Sequence, residues 1–477
     1  MSTAWLWTPA QLQDALGINA PEALTGVRGL SIDTRTLDAG DLFVALRDVR
    51  DGHDFVEVAF AKGAAAALID QNREEALAGL GPLLPVADPL TALEALGAHR
   101  RAEAQAQVLA ITGSVGKTGT KEALRVMLSA FGSTHASAAS YNNHLGVPLT
   151  LARMPLESQY GVYEIGTNHP GEIGPLSHQV KPHIALVTTV EKVHIENFPS
   201  EEAIADEKAE IYGGLCQGGV ALLPRDNRHY DRLQAHAARS PAGRLLSFGM
   251  HAEADIRGLD VSLFPDHSTI TASVCGQRLV FDFGAPGQHL VNNALAMLGC
   301  ASALGLDLEK AARRLAQVKP PKGRGERLTL QGHGLAFTLL DESYNANPAS
   351  MRAALALLAQ TPVRGQGRRI AVMGDMLELG ADAELLHRGL APSLEQHAID
   401  YVFAAGPLMQ GLYEALPASR KGAWQARAED LIAPLCAALQ AGDVVMVKGS
   451  FSSRMGEVVK ALKARYFEGA SLRPQSS

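Results

Sequence analysis

The feature that most constrains this chain is a glycine-rich turn at residues 112–118, which has the sequence Thr-Gly-Ser-Val-Gly-Lys-Thr. It follows an apolar run at residues 108–111 and precedes a helical pattern at residues 121–124. A strand, a glycine-rich loop and a helix in this order are typical of a phosphate-binding loop, in which backbone N–H groups and the helix dipole contact phosphate oxygens. The sequence therefore predicts an α/β domain that binds a nucleotide at this turn.

The loop is a variant of the usual pattern. A glycine is normally found five residues before Gly116, and this chain has Ile111 there, so that Gly113 lies inside a shorter turn. The Lys117 ammonium is predicted to neutralise the outer phosphates, and the Thr118 hydroxyl to bind Mg²⁺. The residues predicted to contact ATP in this loop are Thr112, Gly113, Ser114, Val115, Gly116, Lys117, Thr118 and Gly119.

Length and charge exclude several classes of function. The chain has 477 residues, which suits about three domains. Its net charge is −7, and basic residues form no block beyond short pairs, so nucleic acid is not an expected partner. The four cysteines lie far apart, without the paired spacing of a zinc site. No stretch reaches the ~18 apolar residues of a membrane span, and the N-terminus lacks signal-peptide features, so we expect a cytoplasmic protein.

The first of three composition blocks is predicted to be a small α/β domain, at residues 1–105. It contains short apolar runs between Asp/Gly turns, an alanine-rich stretch at residues 58–67 that is predicted to be helical, and a helical pattern at residues 92–106. A linker is predicted at residues 317–325, which are rich in proline and glycine. Such residues continue neither a helix nor a sheet.

The other two blocks lie on either side of that linker and both alternate strands with helices. Residues 106–318 predict a central P-loop ATPase-type domain with a mainly parallel sheet. Residues 319–477 predict a C-terminal, Rossmann-like, doubly wound domain, with its ligands at the carboxyl ends of the strands. The predicted strands are residues 160–165, 184–190 and 219–223 in the central block and 337–340, 369–373, 401–405 and 444–448 in the last.

Three residues of the central block are candidates for metal chemistry. Glu164 ends an apolar strand, where an unpaired carboxylate is expensive to bury, so it is a candidate Mg²⁺ ligand as well as a possible solvated strand end. His194 follows the next strand, although a lone histidine is more often a structural hydrogen-bonding group. Lys208 lies in a charge-rich helix whose spacing fits an exposed, salt-bridged face equally well.

Taken together, the motifs closely resemble the Mur ligases over nearly the full chain. In the central block the resemblance rests on the phosphate loop, residues 141–148 (Tyr-Asn-Asn-His-Leu-Gly-Val-Pro), residues 164–173, His194, Lys208, residues 287–289 and residues 293–296. In the first block and the linker it rests on residues 31–35, 51–55 and 323–326. In the last block, residues 341–348, 374–380 and 448–450 resemble the branch that adds D-alanyl-D-alanine to a UDP-N-acetylmuramoyl tripeptide.

The resemblance implies an activity for the protein and a role for each domain. In this family ATP phosphorylates the terminal carboxylate of the tripeptide, and the amine of the dipeptide attacks the acyl phosphate. The first domain would bind the UDP-sugar substrate and the last one the dipeptide, with a monomer expected. The implied catalytic residues are Lys117, Glu164, His194 and Lys208; the implied metal ligands, for two Mg²⁺ ions, are Thr118, Glu164, His194 and a CO₂-derived carbamate on Lys208. The resemblance adds Asn293, Arg324 and Glu342 for ATP, and Ser31, Thr34, Arg35, Asn142, Asn143, Asn345 and Asn347 for substrates.

Three alternatives stay open at this point. A sister ligase adding another amino acid would usually carry an Asp-Asn-Pro-Arg motif, which is absent here. A ligase like folylpolyglutamate synthase would lack a first block of UDP-sugar character. A P-loop ATPase whose hydrolysis drives a conformational switch would release phosphate without any acyl acceptor.

Overall fold

The computed structural model describes residues 5–138, 141–193 and 195–469. Its strands form three separate sheets of four, nine and seven strands, which follow one another along the chain and are packed against helices. This is the three-domain α/β architecture that the sequence predicts. In the described part of the chain, no helix has the length and apolar character needed to cross a membrane.

The first sheet is fully parallel, with the order β1-β2-β3-β4. Its elements are α1 (Pro9–Leu16), β1 (Gly29–Ser31), β2 (Asp41–Val44), α2 (Val56–Ala61), β3 (Ala66–Asp70), α3 (Glu74–Leu77), β4 (Leu83–Val86) and α4 (Pro89–Glu103). The helix predicted at residues 58–67 is wrong in its second half. The chain turns at Gly63, where φ is +92°, and the following alanines enter the fully buried strand β3, which pairs with β2 and β4.

The central sheet has the order β13-β12-β11-β10-β9-β8-β5-β7-β6; its strands from β11 to β6 are parallel, and β12 pairs antiparallel with both β11 and β13. Its elements are β5 (Gln107–Thr112), α5 (Lys117–Leu128), β6 (Thr134–Ala136), α6 (Gly146–Ala152), β7 (Tyr160–Glu164), α7 (Ile173–Val180), β8 (Ile184–Val187), α8 (Glu201–Ala209), β9 (Val220–Pro224), α9 (Tyr230–Ala237), β10 (Arg244–Gly249), β11 (Ile256–Leu263), β12 (Ser268–Val274), β13 (Gln277–Phe283), α10 (Gln288–Ala303) and α11 (Leu308–Leu315). Because β5, β7 and β8 are neighbours, the loops that follow them meet at one edge.

Helix α6 joins the first two domains. Its Leu149 and Ala152 are fully buried in the apolar core that also contains Trp7 of the first domain. The Trp7 indole N–H donates a 2.9 Å hydrogen bond to the Ala152 carbonyl. The segment just before α6 is therefore held against the first domain as well as the central sheet.

The last sheet has the order β18-β17-β16-β19-β15-β14-β20, and its five strands from β18 to β15 are parallel. Its elements are β14 (Glu326–Gly332), β15 (Leu335–Glu342), α12 (Pro348–Gln360), β16 (Arg369–Gly374), α13 (Ala383–Arg388), α14 (Ala391–Gln396), β17 (Tyr401–Ala405), α15 (Pro407–Ala415), β18 (Lys421–Gln425), α16 (Ile432–Ala438), β19 (Val444–Lys448), α17 (Met455–Arg465) and β20 (Phe467–Glu468). The predicted linker lies between α11 and β14, outside any helix or strand.

Candidate active site

The phosphate-binding loop connects β5 to α5, as predicted. Two of its glycines are required by space and by backbone geometry. Gly113 has φ of +145°, and a Cβ there would collide with the Thr188 hydroxyl. Gly116 has φ of +90°, and a Cβ there would lie 2.7 Å from the Asn293 side-chain nitrogen. These close approaches bring β8 and α10 against the loop, so Asn293 reaches the predicted ATP site.

The neighbouring loop after β8 holds the phosphate-binding loop in shape. The Ser114 backbone N–H donates to the Thr189 carbonyl at 2.8 Å, and its hydroxyl donates to the Glu191 carbonyl at 3.0 Å. The Thr188 hydroxyl donates to the Val115 carbonyl at 2.6 Å. These hydrogen bonds fix the loop against the segment after β8, so N–H groups of the loop other than that of Ser114 can meet an anion without a change in its shape.

Lys117 folds back over the loop. Its ammonium donates a 2.6 Å hydrogen bond to the Gly113 carbonyl. Burial lowers the pKa of Lys117 below its usual value; the Glu164 carboxylate opposes that shift, and the Arg324 guanidinium adds to it. A phosphate anion beside Lys117 would relieve the desolvation of the ammonium, as a phosphate-binding lysine requires.

Glu164 is 2% exposed and is held on one side only. The Asn142 side-chain nitrogen donates to Glu164 Oε1 at 2.8 Å, and the Gly166 N–H donates to the Asn142 carbonyl at 2.8 Å. Among the described residues, the buried Oε2 of Glu164 has no hydrogen-bond partner, and neither has the hydroxyl of Thr118. Carboxylate and hydroxyl oxygens are ligands that Mg²⁺ prefers, so the two predicted ligands fit this cation.

Lys208 lies on α8 and is 2% exposed, which excludes the exposed, salt-bridged face that its spacing alone allowed. Burial, and then repulsion by the Lys117 ammonium, lower the pKa of Lys208 to about 7, while the Glu207 carboxylate opposes the shift. A lysine with this pKa has a much larger uncharged fraction at neutral pH than an ordinary lysine, and the uncharged amine is the form that reacts with CO₂. His194, the fourth predicted catalytic residue, lies outside the described residues.

A cavity of about 750 Å³ lies between the carboxyl edge of the central sheet, the linker and the last domain. It brings together most of the predicted site, including the loop after β7 and the first turn of α12. The predicted residues that line it are Ser114, Val115, Gly116, Lys117, Thr118, Gly119, Asn142, Asn143, Glu164, Asn293, Arg324, Glu342, Asn345 and Asn347. Thr112, Gly113 and Lys208 are not among its lining residues.

The predicted UDP-sugar residues lie outside this cavity, on the first domain. The Ser31 hydroxyl donates to the Asp33 carbonyl at 3.0 Å, and the mostly exposed Arg35 pairs with the Asp33 carboxylate at 2.6 Å. The Arg35 guanidinium lowers the pKa of Asp33. Lys62 donates to the Thr34 carbonyl at 2.6 Å. Binding of the substrate by Ser31, Thr34 and Arg35 stays a prediction.

Three asparagines predicted to bind substrates have a local structural role as well. Asn143 Oδ1 accepts the Gly146 N–H at 2.9 Å, at the start of α6. Asn347 is the N-cap of α12, where its Oδ1 accepts the Ser350 N–H at 2.8 Å. Asn345 Oδ1 accepts the Ala346 N–H at 2.8 Å. In each case the side-chain oxygen is engaged, so a ligand would meet the amide nitrogen as a donor.

Lys448 and Tyr344 are two residues of the last domain that line the cavity and to which the sequence analysis assigns no role. Lys448 is 3% exposed, and its ammonium donates to the Asn345 carbonyl at 2.9 Å and to the Glu342 carboxylate at 3.3 Å. Burial lowers the pKa of Lys448 below its usual value, with Glu342 opposing and Arg324 adding to the shift. The Arg324 guanidinium lies 4.3 Å from the Tyr344 ring centroid. Lys448 is the last residue of β19, just as Glu164 is the last residue of β7. Its position at the end of a predicted strand could therefore have marked it as a candidate site residue.

Family models match the chain in three segments. The model described as "Mur ligase family, catalytic domain" matches residues 26–101, "Mur ligase middle domain" matches residues 111–301, and "Mur ligase, glutamate ligase domain" matches residues 323–451. The first segment contains the first sheet, the second covers the central sheet apart from the start of β5, and the third covers the last sheet apart from β20.

Similar proteins extend over almost the whole chain. The UDP-N-acetylmuramoyl-tripeptide--D-alanyl-D-alanine ligase of Escherichia coli K12 is 35% identical, over 96% of this chain and 98% of its own. The enzyme of the same name from Bacillus subtilis 168 is 32% identical, over 92% and 93%. A crystal structure of MurF from Acinetobacter baumannii aligns with a TM-score of 0.81 at 32% identity, over 96% of this chain and 99% of its own. The chain therefore belongs to the Mur ligase family.

Proposed function

We propose that this protein is an ATP-dependent ligase that joins D-alanyl-D-alanine to a UDP-N-acetylmuramoyl tripeptide during synthesis of the peptidoglycan precursor. The relatives that carry this name align with the chain almost from end to end. The observation that carries the proposal is the single cavity in which a phosphate-binding loop faces polar residues of a second α/β domain. Such a cavity can bring together a nucleotide, the carboxylate of an acyl donor and an amine.

The chemistry requires activation of a carboxylate. An oxygen of the tripeptide carboxylate attacks the γ-phosphorus of ATP, the bond to ADP breaks, and an acyl phosphate forms. The dipeptide amine then attacks the acyl carbon, loses a proton and expels inorganic phosphate as the amide forms. Lys117 stabilises negative charge on the transferring phosphoryl group, more strongly in the transition state than in the ground state. Closure of the domains around bound substrates would keep the acyl phosphate from water.

Two buried oxygens, the Thr118 hydroxyl and Glu164 Oε2, have no hydrogen-bond partner among the described residues and support the use of Mg²⁺ in this reaction. Thr118 and Glu164 would hold one ion, with His194 and a carbamate on Lys208 at a second. Bound there, Mg²⁺ would neutralise phosphate charge and orient the triphosphate. As an ammonium, Lys208 would repel a cation, whereas carbamylation replaces that positive charge with a carboxylate.

The same proposal assigns a role to each domain. Residues 1–105 bind the UDP-sugar substrate, residues 106–318 bind ATP, and residues 319–477 bind the incoming dipeptide. The active unit of this proposal is a monomer. ATP and a nucleotide-linked sugar are cytoplasmic substrates, and we place the reaction in that compartment. Asn293, Arg324 and Glu342 would contact the nucleotide, and Asn142, Asn143, Asn345 and Asn347 the tripeptide and the dipeptide.

Isotope transfer tests the acyl phosphate. When the terminal carboxylate of the tripeptide carries ¹⁸O, the proposal requires one ¹⁸O atom to appear in the released phosphate and the other to remain in the new amide. Phosphate free of ¹⁸O in a reaction that forms the amide would rule out this route. Ligation of a single amino acid in place of the dipeptide would instead favour the sister ligase.

A further inference from the structure

Glu207 carries a carboxylate that is almost completely buried, with 7% of the residue exposed. Its Oε2 accepts the Gly171 N–H at 2.6 Å, and its Oε1 accepts the N–H groups of Glu172 at 3.0 Å and Ile173 at 2.8 Å. A buried carboxylate is tolerated only when hydrogen bonds replace its hydration. Here three backbone amides from a segment 34–36 residues away supply them.

These amides lie at the start of α7. The N-cap position of α7 is Glu172, which makes no side-chain capping bond to its own helix. Its Oε2 instead accepts the backbone N–H groups of Asn168 at 2.7 Å and His169 at 3.2 Å. Glu207 therefore caps α7 from another helix, and Glu172 closes the loop that precedes α7.

Both elements tied by Glu207 lead to the candidate metal site. The loop at residues 166–172 lines the cavity and follows directly from Glu164 at the end of β7. Helix α8 carries Lys208 immediately after Glu207. Neighbouring residues on an α-helix project about 100° apart. One turn of α8 thus contacts α7 through Glu207 and carries the buried Lys208 beside it.

We propose that Glu207 is a positioning residue that sets the separation between Lys208 and Glu164, and thereby the affinity of the site for a divalent cation. The inference rests on the proposed function, since it takes Lys208 and Glu164 as the two sides of that site. Removal of the carboxylate frees the start of α7 and the loop after Glu164 to shift away from α8. The site then closes around a cation less tightly, whereas contacts made by the last domain are unchanged.

The test compares Glu207→Ala with Asp307→Ala. Asp307 is a matched control, because this exposed carboxylate caps α11 of the same domain, accepts the Lys310 N–H at 2.9 Å and does not line the cavity. Mn²⁺ binding to each protein with a non-hydrolysable ATP analogue is measured by electron paramagnetic resonance, and half-activation by Mg²⁺ in the ligation assay. Glu207→Ala should weaken Mn²⁺ binding and raise the half-activating Mg²⁺ concentration about tenfold, as loss of an outer-shell partner does.

In the same experiment Glu207→Ala should leave KM for D-alanyl-D-alanine unchanged, and Asp307→Ala should lower thermal stability without changing either metal measurement. If Glu207→Ala only lowers stability, with unchanged Mn²⁺ binding, Glu207 is a structural cap and the inference is overturned. If this variant does not fold, Glu207→Gln replaces it, since its amide oxygen still accepts at one position while its NH₂ group cannot accept at the other, so that part of the cap is lost. Weakened Mn²⁺ binding in this variant supports the inference, and unchanged binding overturns it. Mn²⁺ binding is measured without ligation. If the wild type does not ligate the dipeptide, the proposed function is therefore refuted independently of the result for Glu207.

Discussion

Asn142 and Glu164 form a 2.8 Å hydrogen bond that orients a buried carboxylate and engages only one of its oxygens. In the described part of the chain, no hydrogen bond satisfies the other oxygen, Glu164 Oε2. A buried charged group left in this state destabilises the metal-free fold. The pair therefore maintains a ligand position at a cost in stability, as functional sites commonly do.

Glu164→Gln should separate function from stability. The amide keeps the shape of the side chain but removes the buried charge, so the melting temperature without divalent cations should stay level or rise by a few degrees. Ligation should fall about 10²- to 10³-fold, since a metal-side charge that stabilises the transition state is lost. Calorimetry and an ADP-release assay measure the two effects. Glu253→Gln, at an exposed ion pair with Arg225, serves as the control and should change neither.

Lys117→Ala should lower activity at least about 10²-fold, because the variant lacks the ammonium proposed to stabilise the transferring phosphoryl group. Binding of the UDP-sugar substrate should remain, since the predicted UDP-sugar residues lie on another domain. Steady-state kinetics and a direct binding measurement with the nucleotide-sugar check both statements. Turnover at the wild-type rate would contradict the assignment of Lys117 to phosphate binding.

Lys208→Ala should nearly abolish ligation, and added formate or acetate should restore part of it by supplying the missing carboxylate. The pKa of Lys208 of about 7 also predicts how wild-type activity depends on CO₂. Carbamylation requires the uncharged amine, so depletion of CO₂ should cost more activity below pH 7 than above it. Full activity of the alanine variant, or activity indifferent to CO₂ at every pH, would exclude the carbamate.

His135 provides a test of stability that is independent of the chemistry. Its Nε2 hydrogen-bonds the Thr150 carbonyl at 2.8 Å, and burial lowers the pKa of His135 from its usual 6.5 to about 4. Above pH 6.5 the ring is neutral in both states. As pH falls from 6.5 to 4 only the unfolded chain binds the proton, so up to about 3 kcal/mol of stability is lost over that window.

Denaturant unfolding at pH 7, 5.5 and 4 measures this loss. His135→Gln keeps a donor for the Thr150 carbonyl without a titrating group, and it should be less sensitive to pH over the window. An identical pH dependence of the two proteins would assign the effect to other groups.

Much of the central domain could be predicted from local sequence. The apolar run before residue 112 and the helical pattern after it are β5 and α5 of the structure, since a strand and a helix each leave a periodic signal. The linker at residues 317–325 could also be predicted from the sequence, and the structure has no helix or strand there. The second half of the helix predicted at residues 58–67 is wrong, because alanine is common in helices and in buried strands alike. Pairing with β2 and β4 places the alanines at residues 66 and 67 in β3.

The contacts that organise the site were beyond the sequence because they join distant segments. Glu342 meets Lys448 across 106 residues, and Glu207 meets the start of α7 across more than 30. No periodicity or spacing marks such pairs. Local roles were hidden as well, since the same asparagine can contact a substrate and begin a helix, as Asn347 begins α12.

The most direct test of the account is ADP release measured with every combination of UDP-N-acetylmuramoyl tripeptide and candidate amines. The proposed ligase releases ADP and phosphate in stoichiometry with amide product only when the tripeptide and D-alanyl-D-alanine are both present. Sustained ADP release from ATP alone, or the same rate with any amine, would contradict it.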